Sequence, residues 1–353
     1  MVFAYAFFEG CLTGGRQGLI EAQRYPKDYD GIISGAPVYD QRVANSMVAA
    51  GRAFDAPESK LSPPQIVLVN AAALTACDVI DGVRDGIVAD PAACTWDPGA
   101  LLCGKSSSDD NCLSEAQVAA VREAYATLRS PDGRIAVFGI ARGSERSAFP
   151  LFIDWGAQLP NRVGMQNLRE AQFGNANFNF AGWDVVRDFA TVRSTPYAKM
   201  LDATNPDLSP FIRNGGKLLL WHGLYDQLPR APSTVEYFEN AKRVTLANLQ
   251  EKSGRSPSFS SSARLFLIPG LAHCMGGPGT NDFDMLAALE TWVEKGAAPD
   301  EIAAYRREAV GQGYPDFSKK PPPVFSRPLC SYPAQARYLG NGNPNDAASF
   351  RCK

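Results

Sequence analysis

Histidine is nearly absent from this sequence: His222 and His273 are the two imidazoles among 353 residues. No C-x-x-C pair occurs either, so the usual spacings of a zinc cluster are missing. No charge of one sign dominates. Lys and Arg number 35 against 37 Asp and Glu, a formal net charge of -2, and the basic stripe that holds nucleic acid is lacking. No apolar run of about 18 residues stands out, so no membrane span is expected. No N-x-S/T sequon is present, and N-glycosylation is not expected. No internal repeat is visible. The apolar start at residues 1–8 lacks the basic flank and cleavage site of a signal peptide. What is present describes an ordinary globular chain, 45% hydrophobic and 20% charged. At about 150 residues per domain, its length fits two domains or one with a large insertion.

The eight cysteines are more telling. An even count with short spacings suits an oxidising compartment, although eight thiols allow about 105 pairings and sequence selects none. Three local pairs bracket compact loops: Cys77 with Cys94, Cys103 with Cys112, and Cys330 with Cys352. Scattered free thiols are the alternative.

Along the chain, an apolar strand at 2–8 breaks at Gly10-Cys11-Leu12-Thr13-Gly14-Gly15, and Arg16 to Arg24 reads as a helix ending before Pro26. Residues 31–37 form a second short buried strand. Between about 40 and 210 the alternation fails, and cysteine pairs, an acidic loop and irregular aromatic stretches replace it. It returns with a strand at 217–223, a helix from Ser233 to Asn248, a strand from Arg264 to Pro269 and a helix from Phe283 to Lys295. Strands alternating with helices predict an α/β fold, a mostly parallel sheet covered on both faces. Its parts are 1–40 and 211–317, with an inserted lid at 41–210. The Pro- and Asn-rich tail, 318–353, is expected to wrap the core.

Gly10-Cys11-Leu12-Thr13-Gly14 has the frame of a nucleophile elbow, G-x-S-x-G, between strand and helix. Its glycines keep side chains out of a strained turn. The central residue should be the nucleophile, and here it is Leu12, which can neither lose a proton nor attack a carbonyl. Two more strand ends supply Asp226 and His273. The order elbow, Asp, His is that of the α/β-hydrolases, in which the acid orients the imidazole that acts as general base and then acid. The competing readings are a turn-capping Asp and structural histidines, and His222 is read as structural.

These residues carry a resemblance. Phe8 to Cys11, Thr13 to Gln17, Glu21 to Pro26, Tyr29 to Ile32, Trp221-His222-Gly223 with Asp226, and His273-Cys274 leading to Gly276–Gly279 together resemble the tannase and feruloyl esterase family, which includes terephthalate-monoester hydrolases. The resemblance runs over essentially the whole chain. It implies an α/β-hydrolase fold with a large inserted lid, and a serine carboxylic ester hydrolase acting on galloyl, hydroxycinnamoyl or terephthaloyl esters. It pairs Cys11 with Cys274, stapling the elbow to the histidine loop, and leaves the three local pairs for the other bonds. It implies secretion or a periplasmic location, and gives the Thr13 backbone N–H to the oxyanion hole.

The run from Cys77 to Asp90 holds Asp78, Asp81 and Asp85 with two glycines. From the residues alone this is a solvated turn, or a site that could surround a hard cation. The resemblance implies a structural calcium in the lid, with Asp78, Asp81 and Asp85 as side-chain ligands and Val83 and Ile87 offering carbonyls.

Two departures from the family pattern stand out. One is Leu12 in place of serine; Thr13 is no substitute, because its side chain points away. The other is a long stretch expected ahead of the elbow, holding a secretion signal, the first strands and the second oxyanion donor. The chain is therefore expected to be truncated, with an exposed sheet edge and either poor solubility or a partner. Three readings follow: a scaffold impaired by loss of its nucleophile, an esterase whose parent carries serine at position 12, and a non-catalytic ligand-binding or interaction module. The expected partner is a small aromatic ester or acid, with no nucleic acid and no membrane. Of the lid aromatics Trp155, Phe173, Phe178, Phe180 and Trp183, most are expected in the core, and the oligomeric state is not legible.

Overall fold

The computed structural model describes residues 4–40, 42–104, 110–156, 174–175, 177, 182–253, 258–308 and 320–353. Its centre is a parallel sheet of four strands in the order β1-β2-β5-β6. These strands are β1 (Phe7–Cys11), β2 (Gly31–Gly35), β5 (Lys217–Gly223) and β6 (Ala263–Ile268). Helix α1 (Thr13–Arg24) makes the crossover from β1 to β2, as parallel neighbours require.

Side chains alternate across the strands, and each face buries a separate cluster. Ile32, Leu218, Leu220 and Leu265 pack with Leu19 of α1 and with Tyr237 and Phe238 of α9 (Ala231–Ser253). Ile33, Leu219, Trp221 and Phe266 turn the other way, against Leu289 and Trp292 of α10 (Met285–Lys295). That second cluster also takes Ile302 and Leu329 from a three-stranded antiparallel sheet, β7 (Asp282–Phe283), β8 (Glu301–Arg306) and β9 (Phe325–Cys330). After β9 the chain ties onto the edge of β6, where Tyr332 N–H donates to Leu265 O at 2.8 Å. It then closes a hairpin, β10 (Ala336–Tyr338) and β11 (Phe350–Cys352), with Cys330 bonded to Cys352.

Between β2 and β5 the expectation of irregular structure is overturned. Helices α2 (Arg42–Ala53), α3 (Pro63–Cys77), α4 (Glu115–Tyr125) and α5 (Glu145–Gly156) enclose their own core of Phe54, Val69, Leu113, Val121, Phe149 and Phe152. A short hairpin, β3 (Leu128–Arg129) with β4 (Ile135–Val137), lies beside them. Further on come α6 (Phe189–Ser194), α7 (Pro196–Leu201) and α8 (Ser209–Arg213). Ser62 and Ser114 each start a helix with a full capping box, to Gln65 and Gln117, and the two glutamines bond to each other at 2.9 Å. Disulfides Cys77–Cys94 and Cys103–Cys112 staple the same region.

A second correction concerns α3. The stretch Pro63–Asp81 is 19 residues long with mean hydropathy 1.4, apolar and long enough to cross a membrane, contrary to the expectation from sequence. Here it packs Ile66, Val69 and Ala73 inward.

The first turn of α1 packs tightly against the ends of β1 and β2, and glycine is needed there. A Cβ on Gly10 would meet Gly14 C at 2.6 Å, and one on Gly15 would meet Gly35 O at 2.2 Å. Gly14, the second glycine of the elbow frame, has nothing within 4 Å of its Cβ position; the close approach belongs to Gly15. Gly15→Ala is therefore expected to cost about 1–3 kcal/mol by overpacking, whereas Gly14→Ala, in a helix with open space, should gain up to about 1 kcal/mol. Urea midpoints of the two variants that move together would contradict this.

Candidate active site

Leu12 sits in the sharp turn between β1 and α1 with φ 61° and ψ -112°. This is a region that non-glycine residues rarely occupy, at a cost of order 1–3 kcal/mol. Three backbone bonds hold it there. Leu12 N–H donates to Gly35 O at 3.1 Å, and Leu12 O accepts from Arg16 N–H at 3.0 Å and Val38 N–H at 3.3 Å. The elbow is thus built by the backbone around it, whatever side chain it carries. Thr13 is the first residue of α1, so its N–H has no partner within the helix and lies beside the elbow.

The loops after β5 and β6 are laced together. Leu224 N–H donates to Ile268 O and Tyr225 N–H to Leu271 O, both at 2.9 Å. The lacing sets Asp226 against His273, whose Nδ1 lies 2.9 Å from Asp226 Oδ2. A carboxylate accepts, so Nδ1 carries the hydrogen, and Nε2 lies 3.9 Å from Cys274 Sγ. His273 is 15% exposed at its side chain while Asp226 is wholly covered. Leu228 N–H donates to Asp226 Oδ1 at 2.8 Å. Burial works to raise the Asp226 pKa, and hydrogen bonds from His222 and His273 overcome it, so the carboxyl lies below its ordinary range.

The Cys11–Cys274 disulfide joins the residue before Leu12 to the residue after His273, across 263 positions of chain. A bond closing so long a loop stabilises by about 2–5 kcal/mol. It also holds the elbow and the imidazole loop on one covalent frame. All four expected disulfides are present.

His222, read from sequence as a structural residue, is a neighbour of the same carboxylate. Its Nε2 lies 3.3 Å from Asp226 Oδ2, so both histidines of the chain face one oxygen. Arg230 was also missed. It is buried, with Nη1 3.4 Å from the backbone oxygens of Asp226 and Leu228, and its guanidinium stacks on Phe152 of α5 at 5.3 Å. Burial pushes its pKa down to about 10. The signal for His222 was its place at the end of a strand, four residues before Asp226; nothing local marks Arg230.

The acidic loop is near but separate. Tyr225 hydroxyl accepts from Val88 N–H at 2.7 Å, linking that loop to the residue before Asp226. Within it Asp78 accepts from the backbone N–H groups of Asp85, Gly86 and Ile87, Asp81 from Val83 N–H, and Asp85 from Arg327 at 2.5 Å. Burial, aided by the carboxylates of Asp85 and Asp78, pushes the Asp81 pKa up to about 6. The three carboxylates thus serve amides and a guanidinium. Among the described residues no three His, Cys, Asp or Glu side chains converge as a metal-holding group. Of the aromatics singled out, Trp183 is buried, Trp155 lies in α5, and Phe173, Phe178 and Phe180 lie outside the described residues.

Strand order, elbow, acid and imidazole define an α/β-hydrolase. The family described as tannase and feruloyl esterase matches residues 2–353, and the chain belongs to that family. It is 31% identical over 368 residues to a probable feruloyl esterase B-2 of Aspergillus terreus, covering 99% of this chain and 66% of that protein. It is 32% identical over 418 residues to a mono(2-hydroxyethyl) terephthalate hydrolase of Piscinibacter sakaiensis, covering 98% of this chain and 63% of that one. The crystal structure of feruloyl esterase B from Aspergillus oryzae superposes with a TM-score of 0.81 at 27% identity, covering 99% of this chain and 69% of that chain. The chain thus spans just under two thirds of the length of these curated relatives.

The depressed Asp226 pKa has a consequence for stability. Its folded value lies below the unfolded one of about 3.9. Its contribution is therefore complete above about pH 4 and is lost as pH falls through the folded value. Asp226→Asn is expected to flatten the dependence of unfolding free energy on pH in that acid range. An unchanged acid slope in chemical denaturation would contradict it.

Proposed function

We propose that this chain carries the site of a carboxylic ester hydrolase for aromatic esters, hydroxycinnamoyl, galloyl or terephthaloyl, in which acyl transfer is silenced at Leu12. The observation that carries the reading is an Asp226–His273 pair set beside an elbow that keeps its strained backbone under a side chain without a nucleophile. With serine at position 12, His273 Nε2 would take the hydroxyl proton as Oγ adds to the ester carbonyl. The Thr13 N–H would face the developing oxyanion, and the imidazolium would return the proton to the leaving alcohol. Water, activated by the same nitrogen, would then release the acid. With leucine the first bond cannot form, and what is left is binding of the aromatic ester or acid. A non-catalytic binding module is the second reading, favoured by Leu12 itself.

The test compares the chain with Leu12→Ser on an aromatic methyl ester and a nitrophenyl ester, with circular dichroism as the check of folding. Serine is expected to raise turnover by at least about 10³-fold. Inactivity of a folded serine variant would favour the binding module, and full activity with Leu12 would overturn the role given to that position.

A secreted or periplasmic location is part of the same proposal, supported by four disulfides. So is calcium in the loop of Asp78, Asp81 and Asp85, supported by two buried carboxylates and a third partly covered one against the guanidinium of Arg327. No step of the chemistry uses that ion. Adding calcium to chelator-treated protein is expected to raise the melting temperature by several degrees; no shift between calcium and chelator would remove calcium from the proposal.

A further inference from the structure

The loop after β5 carries polar groups that acyl transfer does not itself require. His222 is fully buried next to the end of β5. Its Nδ1 is 2.7 Å from Thr234 Oγ1 in the first turn of α9, and its Nε2 is 3.0 Å from Pro229 O. A carbonyl oxygen only accepts, so Nε2 bears the hydrogen. Nδ1 is held by the Thr234 hydroxyl. The two contacts fix the ring's orientation and place the Nε2 hydrogen toward Pro229 O, with Asp226 Oδ2 3.3 Å from the same nitrogen.

We propose that His222 is a positioning residue: a second imidazole, held in one orientation by Thr234 and Pro229, that offers its Nε2 hydrogen to Asp226 and keeps Oδ2 directed at His273 Nδ1. This rests on the reading of Asp226 and His273 as acid and base given above.

The physical need is plain. A carboxylate out of water requires its lone pairs filled by protein donors, or it takes up a proton. Asp226 has no solvent, and His273 must be free to move its other proton during a reaction. Leu228 N–H serves Oδ1, and on Oδ2 the donors are His273 and His222. The charged and titratable groups facing the carboxylate are His222 from β5, His273 from the loop after β6, and Arg230 from the segment before α9. Arg230 approaches through the Asp226 backbone oxygen, so it does not replace a donor on the carboxylate. Bonds from His222 and His273 are also the groups that hold the Asp226 pKa down against burial. A histidine that merely filled space could be exchanged for an apolar residue without touching this balance.

The experiment uses the chain as it stands, with Leu12 in place, and follows the Asp226 carboxyl carbon by ¹³C NMR across acid pH, assigned with Asp226→Asn. In His222→Leu the midpoint is expected to rise by about one pH unit, a tenfold change in proton affinity. Thr234→Val, nearly the same shape, should shift it less and in the same direction, while Thr234→Ser should leave it at the wild-type position. In the Leu12→Ser background the acid limb of kcat/KM should move with it. Coincident midpoints for wild type, folded His222→Leu and Thr234→Val would overturn the proposal. If His222→Leu does not fold, the valine and serine variants decide it. An inactive Leu12→Ser chain with a shifted carboxyl midpoint would sink the ester-hydrolase reading and leave His222 in its role; activity with an unmoved midpoint would do the reverse.

Discussion

A carboxylate buried away from water must have its hydrogen bonds built for it, and Asp226 is the group around which this molecule makes that provision. Its donors come from the neighbouring backbone, from β5 and from the loop beyond β6. The last of these cannot be supplied unless the two strands are in parallel register, His222 opposite Leu267 and Gly223 opposite Ile268. The lacing of Leu224 and Tyr225 onto the loop after β6 continues that register one step past the sheet. The geometry of the acid–imidazole pair is thus a property of the sheet, extended into two loops, and not of either loop alone. This is why ligands of open parallel sheets gather at the carboxyl ends of their strands.

The elbow shows the same dependence in another form. Its strained backbone is held by bonds to Gly35 O, Arg16 and Val38 and by the close passage of Gly15 under Gly35. None of these contacts involves the side chain at position 12. A leucine can therefore occupy the nucleophile position with the turn intact, and the conformational strain persists without the chemistry that strain ordinarily serves. The covalent link between Cys11 and Cys274 keeps this turn against the imidazole loop regardless of what residue 12 is.

Much of this was legible in the sequence because the informative residues lie at strand ends, where a short local pattern marks them. Leu12, Asp226 and His273 each follow a strand, and three of the four disulfides join near neighbours. The Cys11–Cys274 bond was implied by the family resemblance, since no spacing connects residues so far apart. His222 was hidden because a histidine inside an apolar strand looks like core; its role is set by the chain turning back at Pro229, which no periodicity records. The helices of the inserted segment were passed over although Ser62 with Gln65 and Ser114 with Gln117 are capping signatures. Helix α3 carries no charge at all between Pro63 and Cys77, so it shows no polar face by which to read it. The elbow frame pointed to Gly14, whereas the steric demand falls on Gly15, because the approach of the second strand is not part of the motif.

The inserted segment is not loosely attached above these loops. Arg42, at its first helix, is buried between Asp40 of the departing loop and Glu236 of α9, with the Tyr39 hydroxyl as a further partner. A buried ion pair of this kind contributes little net stability against an apolar replacement, since desolvation offsets the attraction. It does discriminate strongly between arrangements, because separating either partner leaves a charge without its counter-ion. The direction in which α2 leaves the sheet is thereby fixed relative to α9, the helix whose first turn carries Thr234. From the opposite side Phe152 of α5 lies under the Arg230 guanidinium. The segment between Asp226 and α9 is thus gripped by the inserted helices on one side and by the sheet on the other.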